Sequence, residues 1–130
     1  MSQNTPLRRG VFGLAAAAAA VLVLAGCASA PAVGGDPVGS WGSSEERKPQ
    51  LVLEKDGSLN GTDGCNRLLG TWKDDGGKVD FGDGLASTMM FCEGVDTWLS
   101  KAVRAEVRAD ELVVFGEKDA EIGTLPRIES

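Results

Sequence analysis

The chain predicts a small α+β protein that is mostly β: a curved antiparallel sheet of about seven or eight short strands, curling or closing into a barrel, with one packed helix. Three observations carry this expectation. Short apolar runs such as LVL (Leu51–Leu53) and VVF (Val113–Phe115) are repeatedly cut by turn signals rich in Gly, Asp and Asn. Glycine is abundant, at 18 of 130 residues, as a strongly bent sheet requires. Only one segment carries a helical period. So many short strands in so few residues must curl, because a flat sheet would leave one apolar face in water.

The first quarter of the chain stands apart from this domain. Arg8 and Arg9 are followed by an apolar run from Val11 to Gly26, and then by small residues. A basic start, a short apolar stretch and a small-residue exit make an export signal over residues 1–26. The run is shorter than the roughly 20 apolar residues of a spanning helix. It ends in Leu24-Ala25-Gly26-Cys27, which resembles the lipobox of bacterial lipoproteins. That resemblance implies cleavage between Gly26 and Cys27, with diacylation of the Cys27 thiol and palmitate-type chains holding the protein on a bilayer. Ala28 to Val38 (ASAPAVGGDPV) offers little to bury, so residues 27–38 read as an acylated cysteine and tether. The expected folded unit is 39–125, with 126–130 as a tail.

Within the unit, Leu51–Leu53 reads as a buried strand, Lys55-Asp56-Gly57 as a hairpin turn and Ser58–Thr62 as the returning strand. Arg67–Lys73 forms the next strand, Asp74-Asp75-Gly76-Gly77 a turn and Lys78–Phe81 a period-two strand; Leu85–Met90 is extended. In Glu93–Glu106, Val95, Trp98, Leu99, Ala102 and Val103 repeat at i, i+3, i+4, i+7 and i+8, which predicts the helix. Ala105–Arg108, Glu111–Phe115 and Ala120–Leu125 close the sheet.

Charge and composition exclude several functions. The chain has 13 Lys and Arg against 19 Asp and Glu; loss of Arg8 and Arg9 with the signal leaves 11 against 19, a net of −8. Such a surface repels phosphate backbones, so no nucleic-acid partner is expected. There is no histidine, which removes Ser-His-Asp and Cys-His pairs and the usual general base near neutral pH. Asp56–Gly61 (DGSLNG) copies half of a calcium loop, but Arg67 stands where the twelfth-position glutamate belongs. It reads as turn chemistry. Asp74, Asp75, Asp80 and Asp83 sit in turn-rich sequence with no spacing that selects a catalytic pair. No metal and no cofactor is expected.

Cys65 and Cys92 are then the only thiols of the folded unit. Their separation does not suit CxxC redox chemistry, and two cysteines are too few for a zinc site. A disulfide is the first reading, since an exported domain of fewer than 90 residues gains from a cross-link. Two buried free thiols are the alternative, and a switchable redox pair a third.

The succession Gly39-Ser40-Trp41, Leu51 to Gly57, Gly61-Thr62-Asp63-Gly64-Cys65-Asn66, Gly70-Thr71-Trp72 and Thr88-Met89-Met90-Phe91-Cys92 resembles the META domain, the HslJ-like family of bacterial envelope proteins. The resemblance spans nearly all of 39–125. It places the family's two motif cysteines on Cys65 and Cys92. Gly57, Gly61, Gly64, Asn66, Gly70, Trp72, Thr88 and Met90 fall on the remaining motif positions as structural residues. It implies a compact conical barrel with a packed helix and no established enzymatic activity, the family being associated with stress and envelope functions. Two departures stand out: Trp72 replaces the usual tyrosine, and Phe91 replaces a small residue beside Cys92. Asn66 suits a corner between strands.

Function is therefore expected to be that of an exported, outward-facing, membrane-anchored binding or stabilising module. Its partners would be the bilayer through Cys27 and another envelope protein or a hydrophobic ligand. In a Gram-negative cell, Ala28 after the cysteine does not carry the aspartate of inner-membrane retention, so the outer membrane is open to it. The alternative is a carrier or pilot-like barrel whose interior, lined by Leu53, Leu69, Phe81, Met89, Val114 and Phe115, takes an acyl chain or apolar peptide.

Overall fold

A computed structural model describes residues 32–129. The signal segment, Gly26 and Cys27 lie outside the described residues. Ten strands follow in order: β1 Gly39–Gly42, β2 Gln50–Leu53, β3 Ser58–Thr62, β4 Arg67–Thr71, β5 Lys73–Asp75, β6 Lys78–Asp80, β7 Ala86–Ser87, β8 Arg104–Arg108, β9 Glu111–Phe115 and β10 Glu121–Ile128. They form one sheet in the order β5-β6-β8-β9-β10-β1-β2-β3-β4-β7, and every neighbouring pair is antiparallel.

The sheet is curled into a half-barrel, and its hydrogen-bonded ladder does not close, since β5 and β7 are its two ends. The chain itself joins these ends, because only Trp72 separates β4 from β5. The Trp72 indole N–H points to the carbonyls of Glu54 (2.9 Å) and Ser58 (3.1 Å). The bend is thereby pinned to the β2–β3 turn.

Period-two alternation sends one face of each strand inward. Trp41, Leu51, Leu53, Leu59, Leu68, Phe81, Leu112, Val114 and Leu125 are all within 2 % of complete burial. The inside of the curl is therefore a packed core. Leu53, Phe81, Val114 and Phe115 lie in it, whereas Leu69 is 51 % exposed and Met89 94 % exposed. The carrier reading placed those two inside; they face water.

The predicted helix over Glu93–Glu106 is corrected to a single turn of 3-10 helix, Trp98–Lys101. Ala102 is already extended (φ −66°, ψ 135°), the Val103 amide bonds the Phe115 carbonyl, and Arg104 begins β8. Ala105 and Val107 satisfy a period of two as well as the preceding residues satisfy 3.6, and pairing with β6 and β9 decides the outcome. The one turn is seated by Trp98, whose ring lies where a Gly123 side chain would start.

Other boundaries also shift. β1 is a strand that the local sequence pattern does not predict. The final residues of the expected tether pack on the sheet: Val33 bridges Arg108, the Gly34 amide bonds Val107, and the Trp41 indole donates to the Pro37 carbonyl at 2.9 Å. Pro126, Arg127 and Ile128, expected in the tail, complete β10. Asp74 and Asp75 belong to β5, and the turn itself is Gly76-Gly77, capped by the Gly77 amide on Asp74 Oδ1 (2.8 Å).

Because neighbouring strands are antiparallel, the connections alternate between two poles. The N-terminal segment 33–38, the turns at 54–57, 76–77 and 109–110, and the end of β10 share one pole. The loops 43–49, 63–66 and 88–97 share the other.

Candidate functional site

The second pole is built around the corner between β3 and β4. Asp63 is fully buried, and its Oδ1 accepts the amides of Cys65 (2.9 Å) and Asn66 (2.6 Å). Oδ2 has no hydrogen-bond partner among the described residues. Gly64 sits at φ +100°, and a Cβ there would come within 2.8 Å of the Arg47 carbonyl; both facts favour glycine. The sequence reading gave the corner to Asn66, but Asp63 shapes it.

Asn66 has a different task. It is 7 % exposed, and its side chain reaches the segment after β7. Oδ1 accepts the Met90 amide (2.6 Å) and the Thr88 hydroxyl (3.0 Å), while Nδ2 donates to the Met90 carbonyl (3.3 Å). One carboxamide thus pairs both backbone groups of Met90, as a neighbouring strand would. The Arg67 amide donates to the Thr88 hydroxyl at 3.0 Å. Cys65 and Cys92 are joined in a disulfide one residue from Asn66 and two from Met90, so neither is a free thiol.

Held this way, Met89, Met90 and Phe91 stand in water at 94, 61 and 89 % exposure. Phe91 therefore turns away from the disulfide instead of crowding it. No charge lies between Asp83 and Glu93. The result is an apolar tip on a fixed backbone, with Leu69 of β4 nearby as the fourth large exposed apolar residue.

The remaining sequence candidates resolve locally. Asp56 Oδ1 accepts both the hydroxyl (2.6 Å) and the amide (2.9 Å) of Ser58, and these bonds hold its carboxyl below the usual range. That is turn chemistry, and among the described residues no group of three or more acids and cysteines is placed to hold a metal. Gly57 ends the β2–β3 turn, Gly61 lies in β3 and Gly70 in β4. Away from the site, Glu106 is bracketed by Arg104 (2.9 Å) and Arg108. The Arg108 bond, followed by that from Arg104, holds its carboxyl low against the opposing effect of burial.

A family model, described as META domain, matches residues 30–127. The chain belongs to the META domain family. No curated protein and no solved structure matches it. The match begins before β1 and ends inside β10, so the META domain includes the N-terminal segment that packs on Val107, Arg108 and Gly77.

Proposed function

We propose that this META-domain protein is a non-enzymatic binding module of the bacterial envelope, held on a membrane by an acylated Cys27 and facing outward. The observation that carries the binding role is the apolar tip. Part-buried hydrogen bonds with Asn66 and a disulfide fix a backbone whose Met89 and Phe91 side chains touch almost nothing. Rigid support beneath an unpartnered apolar surface suits a contact with another envelope protein.

Among the described residues no helix is long and apolar enough to span a membrane, and the anchor would rest on the lipid chains.

Fractionation with mass spectrometry of the N-terminal peptide tests the anchor. The wild-type protein should be found in membranes with acyl chains on Cys27, and Cys27→Ser should be released or left uncleaved. A cleaved Cys27→Ser protein still retained in membranes would contradict the proposal.

A further inference from the structure

The outer face of the sheet at this same pole carries a row of side chains set by strand register. Gln50 pairs with Thr62, and Thr62 with Arg67, so the three stand side by side across β2, β3 and β4. Their inward-facing neighbours Leu51 and Leu68 are buried, which leaves the row pointing outward. Asn60 lies on the same face two residues from Thr62. The row floors a depression of about 530 Å³, walled on one side by Thr88 and Met90.

The depression carries one charged side chain, a cation. Its lining includes Arg67 and no Asp or Glu, in a chain with 19 acids. The side chains of Gln50, Asn60 and Arg67 make no hydrogen bond or ion pair with other described residues. The Thr62 hydroxyl accepts the Gly64 amide (3.0 Å) and keeps its own proton to donate. A guanidinium fork, two carboxamides and a hydroxyl proton thus face one open volume, with no bond to another described side chain.

We propose that this depression binds the carboxylate-bearing end of an extended peptide. Arg67 takes the carboxylate in a two-bond fork, the only charge pair the site offers. Gln50 and Asn60 each present a donor and an acceptor, the pattern that a peptide amide requires. The row spans two strand spacings, about 10 Å, which is the length of roughly three extended residues. Met90 supplies an adaptable apolar wall for a side chain. A single cation balances a single negative charge. A dianionic phosphate would be left with an uncompensated charge on a chain of net −6, so a carboxylate fits better.

This inference rests on the reading of the protein as a binding module but not on its anchor. Loss of acylation at Cys27 leaves the groove untouched, and loss of peptide binding leaves the anchor untouched. The test is calorimetric titration of the full-length protein, purified in detergent, with acetyl-trialanine, its C-terminal amide, an acetyl-Ala-Ala-Asp amide and inorganic phosphate. The free-acid tripeptide or the Asp amide should bind, the better of the two telling whether a terminal or a side-chain carboxylate is preferred. The trialanine amide and phosphate should bind at least about tenfold more weakly. Arg67→Gln should lose at least about tenfold in affinity, with Arg67→Lys intermediate because a point charge replaces the fork. Both variants should keep the wild-type melting temperature, since the Arg67 side chain is exposed and makes no hydrogen bond or ion pair with other described residues. Equal binding of the trialanine amide, tighter binding of phosphate, unchanged affinity in Arg67→Gln, or no binding of any peptide at millimolar concentration would overturn it.

Discussion

The two poles of the molecule solve the same problem, the ends of a curled sheet, in opposite ways. At the pole where the described chain begins, the backbone closes on itself. Val33 bridges Arg108, the Arg127 amide bonds Asp110, and the Arg127 guanidinium lies 4.0 Å over the Trp41 ring while donating to the Asp36 carbonyl. Apolar surface there is covered. At the other pole an equally ordered network of Asp63, Asn66 and the Cys65–Cys92 disulfide supports a loop whose apolar side chains remain uncovered. Order without burial is costly for folding alone and separates a display surface from a structural end.

Substitutions should separate the poles by size of effect. Trp41→Ala removes a fully buried ring and the indole bond to Pro37; it should cost about 3–5 kcal/mol, read by denaturant unfolding, and should free the N-terminal segment. Replacing Cys65 and Cys92 together by Ala should cost about 2–4 kcal/mol and loosen the apolar tip while leaving the first pole intact in hydrogen exchange. Equal loosening of both poles would erase the distinction between them.

Glu106 provides a smaller, pH-dependent increment on the sheet between them. Its folded carboxyl is held low by Arg108 and then Arg104, so its stabilisation is fully present above the unfolded carboxylate value, about 4.3. It is lost as pH falls through the depressed folded value. Glu106→Gln should therefore destabilise by about 1 kcal/mol near neutrality, because both arginines are about one-third exposed. The difference from wild type should shrink in melts below about pH 4. Smallest of all, Met89→Ser with Phe91→Ser should change stability by no more than about 0.5 kcal/mol, because nothing in the fold covers these side chains. A larger loss would mean that the tip belongs to the core.

Most of the strands were legible because each carries its own signal. Leu51 and Leu53, or Leu112 and Val114, alternate with outward residues, and turns such as Asp56-Gly57 separate them. The helix was misread because Val95, Trp98, Leu99, Ala102 and Val103 fit a 3.6 period. Pairing of β8 with β6 and β9, which no local pattern reveals, overrode it. The site shows the same division. The cysteines announced themselves by composition. Asn66 was visible as a motif residue, but its partner Met90 lies 24 positions away, so the sequence suggested only a local corner role. The row of Gln50, Thr62 and Arg67 exists only through strand register and had no signature at all.

The central claim is that the apolar tip is held from below by a buried carboxamide. Hydrogen exchange at the Met90 amide tests it most directly, because that N–H donates to Asn66 Oδ1 at 2.6 Å while the Met90 residue is 61 % exposed. The wild-type amide should exchange slowly, at a rate set by opening of the pole, and Asn66→Ala should bring it close to the rate of an unstructured chain. A Met90 amide that already exchanges at the unstructured rate in the wild-type protein would contradict the account.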